Sequence, residues 1–463
     1  MMFDKKVYIQ RRETLRKNCD KGLLILPGNN ESPMNYSANT YHFRQDSNFL
    51  YFFGLDIPGL AAVIDFDEDK DTIYGDNIGI DDIIWMGEQP TLSETASRAG
   101  IELTKPFSSL KVDIQKAMKA GRKVKILPYY RGEQQIFLVD LLDKDLASLK
   151  KYIASDCIKA IVSLREIKDE HEIKQIEYAV DVAYKMHTIV MKMAIPGTWE
   201  REIAGVIEGI ALANCGAVSF PVILSMDGQT LHNHLHENLL NEGRLVVTDA
   251  GCESPLHYAS DITRTIPVGG KFSQRQKEIY EIVMDANLKA INAVKPGIYN
   301  RDLHFIAART IADGLKDLGL MKGDMEEAVK QEAHALFFPH GLGHMLGLDV
   351  HDMESLGENN VGYDETVSRS SQFGTSYLRL AKQLKPGFVL TIEPGIYFIP
   401  ALINLWKKEK KAEEFINYNK VESYKNFGGI RIEDDILVTP DGGRVLGKPI
   451  PKTVEEIEGF MKG

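Results

Sequence analysis

The stretch Leu245-Val246-Val247-Thr248-Asp249-Ala250-Gly251-Cys252-Glu253-Ser254-Pro255-Leu256-His257-Tyr258-Ala259-Ser260-Asp261-Ile262-Thr263-Arg264-Thr265 carries the decisive reading of this chain. Leu245 to Ala250 and Tyr258 to Thr265 read as strands, and Glu253-Ser254-Pro255-Leu256 as the turn between them. A hairpin centred near Pro255 sets Asp249 opposite Asp261, with both side chains on one face and their Cβ atoms about 5 Å apart. Two carboxylates that close repel, and each raises the other's pKa unless a cation lies between them. Either aspartate alone reads as a turn carboxylate facing water. The pair reads as half of a cation site.

Three further elements supply the other half. Phe338-Pro339-His340-Gly341-Leu342-Gly343-His344 is followed by Gly347-Leu348-Asp349-Val350-His351-Asp352. His340 and His344 have the i, i+4 spacing of a helical zinc site, but Gly341 and Gly343 argue against a helix, so a loop or strand is expected. Val389-Leu390-Thr391-Ile392-Glu393-Pro394-Gly395 reads as a strand ending at a Pro-Gly turn with a glutamate at its tip. In Gly429-Ile430-Arg431-Ile432-Glu433-Asp434-Asp435, period two puts Arg431 and Glu433 on one face and Ile430 and Ile432 on the other. Taken singly, each motif is unremarkable. Together Asp249, Asp261, Glu393 and Glu433, with His344, supply four negative charges that two divalent cations would cancel. The oxygen-rich set favours Mn²⁺, and the imidazole keeps Co²⁺ and Zn²⁺ as alternatives. Two such ions about 4 Å apart share a hydroxide, lower its pKa and polarise a carbonyl, so hydrolysis is the expected chemistry.

Working outward, 463 residues exceed what one core usually organises, and two domains are expected. Up to about residue 165, β-rich runs such as Gly22 to Leu26 and Ala61 to Ile64 alternate with helical segments around 135 to 153, which predicts an α/β domain. From Lys168 to Met193 the pattern changes to a long amphipathic helix, with Ile173, Ile176, Ala179, Val180, Ala183 and Met186 at steps of three and four. The division expected is therefore 1–165 and 166–463. The helix stops at Pro196-Gly197 and another starts near Glu200. The chain repeats this at Pro296-Gly297, with a restart near Arg301, which predicts a duplication into two related αβ halves with a site between them. The overall class expected is α/β (α+β).

A formal net charge of -11 argues against a nucleic-acid or anionic-membrane binder. No window has the length and apolarity of a membrane span, and Met1 to Lys6 leads into polar residues with no signal-peptide pattern. Cys19, Cys157, Cys215 and Cys252 are widely spaced without a CxxC pair, which predicts a reduced, cytoplasmic protein. Cys252 reads as a small packing residue. Lys407 to Lys411, broken by Glu409, reads as a solvated helix face.

In type and order, Asp249-Ala-Gly with Asp261-Ile-Thr-Arg, His340-Gly-x-Gly-His344, Glu393-Pro-Gly and Gly-Ile-Arg431-Ile-Glu433 resemble the five-ligand signature of the pita-bread metallopeptidases. Within these, the chain is most similar to the Xaa-Pro aminopeptidases, or aminopeptidase P. Arg44-Gln45-Asp46-Ser47-Asn48-Phe49 and Tyr51-Phe52-Phe53-Gly54 look like that family's creatinase-like N-terminal domain. The resemblance implies that Asp261 and Glu433 bridge two metals, that Asp249 completes one coordination sphere, and that His344 and Glu393 complete the other. It implies a proton-passing role for Glu393, substrate contacts for His340 and His351, and a place beside the metals for Arg431. A further substrate histidine is expected at His234, with His232 and His236 as alternatives. Peptides with proline second are the implied substrates, and a dimer or tetramer the implied assembly. The bond before proline is a tertiary amide without an N–H, so metals and histidines acting on the carbonyl and the leaving nitrogen suit it. The rivals are a prolidase, which needs a group to grip a free proline carboxylate, and a non-catalytic binding protein of the same fold. The stretch from Ile399 to Phe427 reads as an insertion with an amphipathic helix around Leu402 to Phe415, serving as a lid, an oligomer contact or plain surface.

Overall fold

The computed structural model describes residues 2–214 and 216–462, so Cys215 lies outside the described residues. The chain divides into two compact units, Met1–Arg165 with Glu354–Asn360, and Glu166–Met353 with Val361–Gly463.

The first unit is built on a five-stranded mixed sheet of β1 (Leu23–Pro27), β2 (Ala61–Asp65), β3 (Lys70–Tyr74), β4 (Leu103–Lys105) and β5 (Val124–Lys125), in the order β4-β3-β2-β1-β5. Every residue of β1 is buried, because helices cover both faces, and that is why it reads as an unbroken apolar run. The Arg44–Gly54 stretch forms the helix Ser47–Phe53. The Asp46 carboxylate accepts the N–H groups of Asn48 and Phe49 at its start, and Gly54 ends it at φ 63°, where a Cβ is costly.

The second unit shows the duplication. Helix Glu170–Met193 begins at Asp169 in a capping box with Glu172, and helix Gln274–Ala293 begins at Ser273 in one with Gln276. Each stops at its Pro-Gly pair and is followed by a second helix, Glu200–Asn214 and Asn300–Asp317. The two turns are pinned alike. Gly197 N–H donates to Leu240 O and Leu240 N–H returns to Thr198 O, while Gly297 N–H donates to Leu384 O and Leu384 N–H returns to Ile298 O. One half adds the antiparallel sheet of β6 (Ile223–Ser225), β7 (Leu245–Ala250) and β8 (Ile262–Pro267). The other adds β9 (Val389–Ile392), β12 (Asp434–Thr439) and β13 (Gly442–Val445), together with the pair β10 (Gly395–Tyr397) and β11 (Gly429–Arg431). This is the pita-bread architecture expected.

Three local expectations need correction. The hairpin after β7 centres on Leu256, because the turn closes from Ser254 N–H to Tyr258 O and carries His257 at φ 67°. Asp249 therefore stands opposite Thr263, and Asp261 lies diagonally, on the same face, just before β8 begins. Glu393 is not at the tip of a turn. Ile392 pairs with Asp434 and Gly395 with Arg431, the same register on either side of a two-residue break, so one antiparallel ribbon runs through and Glu393 lies opposite Glu433. Pro394, which has no N–H to give the ladder, marks the break. The helix in the insertion is Pro400–Glu409, ended by Lys410 in the left-handed region, and its Ile403 and Trp406 are buried.

Candidate metal centre

The five residues singled out from sequence meet in one place. Asp249 comes from β7, Asp261 from the entry to β8, Glu393 and Glu433 from the facing breaks in the ribbon, and His344 from the His340–His344 loop, which is a loop as its glycines require. Gly343 brings that loop against β9: a Cβ there would lie 1.9 Å from Thr391 O. Thr391 N–H then donates to His344 O, and Glu393 N–H to Leu342 O, so imidazole and carboxylate are held side by side. One oxygen or nitrogen from each of Asp261, His344 and Glu433 lies within 4.8 Å of the others. His344 Nε2 is 3.3 Å from Asp261 Oδ2 and 3.7 Å from Glu393 Oε1.

The donor set fits a cation. His344 Nδ1 is 3.0 Å from Met345 O, which commits that nitrogen to its proton and turns the Nε2 lone pair toward the carboxylates. A lone pair facing anionic oxygens is repulsive unless a proton or a metal lies between. Asp249 Oδ1, Asp261 Oδ1 and Glu433 Oε1 are buried without a hydrogen-bond partner, although their sister oxygens or neighbouring groups are engaged. Asp249 Oδ2 accepts Arg431 Nη2 at 2.6 Å, and Glu433 Oε2 accepts Thr263 Oγ1 at 2.7 Å. Buried orphan carboxylate oxygens are costly, and two divalent cations would satisfy them.

Charge tells the same story. Burial, then the fields of Glu433 and Asp249, pushes the Asp261 carboxyl well above its usual range, and Glu433 is driven up by burial and by Glu393 and Asp249. Glu393 is pushed up to about 8, chiefly by burial. Burial holds His344 well below its ordinary value, so it stays a neutral ligand.

A stability prediction follows with a definite sign. A carboxyl whose folded pKa is raised supports the fold fully below its unfolded pKa of about 4.3, and that support is lost as pH rises toward the folded value. For Glu393 the window ends near 8. The metal-free protein is therefore expected to melt several degrees lower at pH 8 than at pH 5, since 1 kcal/mol moves the melting point of a large domain by roughly 2–4 °C. Scanning calorimetry with and without saturating Mn²⁺ checks this. A metal-free melting point that does not fall between pH 5 and 8, or a fall unchanged in Glu393→Gln, would contradict the assignment.

Around the cluster lies a cavity of about 640 Å³, lined by all five residues and by Arg431, His340 and His351. Arg431 spans Asp249, Thr263 and Tyr397, with Nε 3.1 Å from Thr263 Oγ1 and Nη1 3.0 Å from Tyr397 Oη. His340 donates from Nδ1 to Gly341 O, so its Nε2 accepts the Tyr397 hydroxyl at 2.9 Å, and burial lowers its pKa to about 3. His351 stands edge-on to His344, with ring centroids 4.2 Å apart. Of the three alternatives upstream, His232 and His234 line the cavity and His236 does not; its Nδ1 lies 3.1 Å from Leu224 O.

Sequence reasoning passed over several lining or supporting residues, among them Tyr397 and Arg379. Tyr397 was recoverable, because Glu393, Gly395 and Tyr397 alternate along one ribbon face opposite Arg431. Arg379, which lines the cavity and lowers the Glu393 pKa by its charge, sits in an irregular stretch without a motif. A second cluster, Cys19, Asp156 and Cys157, also escaped because Cys19 is far in sequence from the adjacent Asp156 and Cys157. Asp156 already accepts Lys125 Nζ at 2.5 Å and Asp20 N–H at 3.0 Å, so its charge is compensated without an ion.

A family model described as metallopeptidase family M24 matches residues 174–440, more than half of the chain. The chain belongs to metallopeptidase family M24. A second model, the aminopeptidase P N-terminal domain, matches residues 8–127 of this M24 member. Among curated relatives, human Xaa-Pro dipeptidase is 31% identical over 97% of this chain and 91% of its own length. A probable Xaa-Pro aminopeptidase of Aspergillus clavatus is 34% identical over 90% and 88%. Aminopeptidase PepP of Pseudomonas aeruginosa superimposes with a TM-score of 0.81 at 27% identity, over 100% of this chain and 98% of that one. Aminopeptidase P from Escherichia coli with the inhibitor Pro-Leu does so at 0.81 and 28%, over 100% and 99%. The family resemblance and the fold expected from sequence both hold.

Proposed function

We propose that this M24 enzyme hydrolyses the bond between an N-terminal residue and a following proline. The observation that carries the reading is the buried cluster of Asp249, Asp261, His344, Glu393 and Glu433, with three orphan carboxylate oxygens, opening on a cavity of peptide size. Asp249, Asp261, His344, Glu393 and Glu433 would together hold two divalent cations. Bound there, the cations would supply Lewis acidity, making water acidic enough to attack near neutral pH and polarising the scissile carbonyl. The rest falls to the chain's own side chains. Glu393, partly open to the cavity, takes a proton from the attacking water and delivers it to the proline nitrogen, which must leave as a secondary amine. His351, His340 and His234 line the space where the carbonyl and the proline would lie, and Arg431 holds Asp249 and Tyr397 in place.

Mn²⁺ is the cation we favour for this oxygen-rich set, with Co²⁺ and Zn²⁺ as alternatives. Among the described residues, Cys19, Cys157 and Cys252 form no disulfide, which fits the reduced, cytoplasmic setting we propose. Among the described residues, no helix is long and apolar enough to cross a membrane. A dimer or tetramer is supported by helix Ile80–Met86, which buries no residue and exposes Ile80, Ile84, Trp85 and Met86.

Arg379 favours a second reading, the dipeptidase. A guanidinium on the cavity wall is the group a prolidase needs to hold the free carboxylate of a Xaa-Pro dipeptide. Assay of Ala-Pro against Ala-Pro-Yaa peptides by the Mn²⁺-loaded enzyme separates the two. If dipeptides are the main substrates, Arg379→Met is expected to raise KM for Ala-Pro roughly thirtyfold, about 2 kcal/mol, and to spare the tripeptide. Efficient cleavage of the tripeptide alone supports the aminopeptidase, and cleavage of neither refutes both.

A further inference from the structure

The stretch inserted between the two metal-site glutamates reaches the cavity through one aromatic ring. Phe373 and Tyr377 form part of the cavity wall, six and two residues before Arg379 on the same irregular segment. The far end of that segment is tied to the fold. The Tyr363 hydroxyl donates to Leu378 O, Asn300 Nδ2 donates to Leu380 O at 2.9 Å, and Ala381 N–H donates to Gly362 O at 2.8 Å. At the near end, beside Phe373, Gly374 turns the chain at φ 86°, where a Cβ would lie 2.9 Å from that of Ala335.

The insertion meets the ring there. Trp406, on helix Pro400–Glu409, is 3% exposed and lies 6.0 Å from Phe373, centroid to centroid, at 62°. The left-handed residue Lys410 ends that helix and returns the chain, so that Lys411 N–H donates to Trp406 O. The Lys411 ammonium is then 4.1 Å from the Trp406 ring centroid and 5.4 Å from that of Phe373. On its other side Phe373 meets Tyr377 edge-on at 6.0 Å, and Tyr377 is 57% exposed. One ring on the wall is thus backed by a buried indole and a cation placed against both.

We infer that Trp406 and Lys411 are positioning residues for substrate recognition, which hold Phe373 in the cavity wall against apolar side chains of the bound peptide. The insertion is then the buttress of a binding wall, not a lid. This rests on the cavity being the peptide site.

The test is a double-mutant cycle on the Mn²⁺-loaded full-length protein. Trp406→Ala is expected to raise KM about fivefold to tenfold for Leu-Pro-Leu, with kcat and metal content unchanged, because Phe373 loses the aromatic partner that orients it. The rise should be small for Gly-Pro-Gly, and Trp406→Phe should restore KM. In a Phe373→Ala background the Trp406→Ala change should add almost nothing, which a general loss of stability would not reproduce. Lys411→Met, at a half-exposed site, gives a second route that does not depend on Trp406→Ala folding, with a rise of about twofold to fivefold for Leu-Pro-Leu. Equal KM changes for both peptides, additive effects in the cycle, or a fall in kcat instead of a rise in KM would overturn the inference. Failure of the wild-type enzyme to cleave any Xaa-Pro peptide would instead overturn the reading on which it rests.

Discussion

Glu393→Gln is expected to lower kcat by roughly two to four orders of magnitude while KM changes by no more than about threefold. The side chain keeps its size, so contacts that hold the peptide survive, but the amide has no basic oxygen to receive the proton of the attacking water. Glu393 is the group we propose for that transfer. It lies opposite Glu433 in the ribbon, 3.7 Å from His344 Nε2, and remains 19% exposed toward the cavity where its neighbours are nearly closed off. Its pKa of about 8 without cations also shows how strongly this pocket drives a carboxyl toward its protonated form. Steady-state kinetics alongside elemental analysis decide the matter. If the variant retains both ions and turns over at the normal rate, another group moves the proton.

Asp261→Asn carries the second large effect, and its two readouts run in opposite directions. Asp261 is 5% exposed, has one orphan oxygen and faces the His344 lone pair, so an amide there removes a charge that two cations would share. Affinity for Mn²⁺ is expected to drop by about a hundredfold or more, the scale of leaving one member of a buried charge pair without its partner, and activity should fall with it. The metal-free protein should gain stability at pH 8, because the burial of that carboxyl and its repulsion with Glu433, Asp249, Asp435 and Glu393, which together raise the Asp261 pKa, no longer oppose folding. Titration calorimetry and thermal melts read the two quantities. Full loading with two ions in this variant, or a metal-free protein no more stable than the wild type, would remove Asp261 from the centre of the site.

What could be read in the amino-acid sequence was chemistry that acts over a few residues. The run Leu245–Ala250 forms the strand expected of it, the Pro-Gly pairs at 196 and 296 stop their helices, and the glycines keep His340–His344 out of a helix, because torsional preferences and missing N–H groups operate locally. The types and order of the five carboxylate and imidazole residues, and with them the family, were equally legible, since ligand chemistry is written in side-chain identity. Geometry across a turn was not. The register after β7 depends on the backbone angles of the turn itself, and His257 at positive φ moved Asp249 opposite Thr263 instead of Asp261. The juxtaposition proposed for those aspartates belongs instead to Glu393 and Glu433, forty residues apart, whose pairing is made by the ladders of β9 with β12 and β10 with β11. Only the tertiary structure decided that Arg379 and Phe373 stand on the cavity wall and that Trp406 backs it. Such proximities arise when packing brings distant segments together, and no periodicity within either segment encodes the partner it will meet.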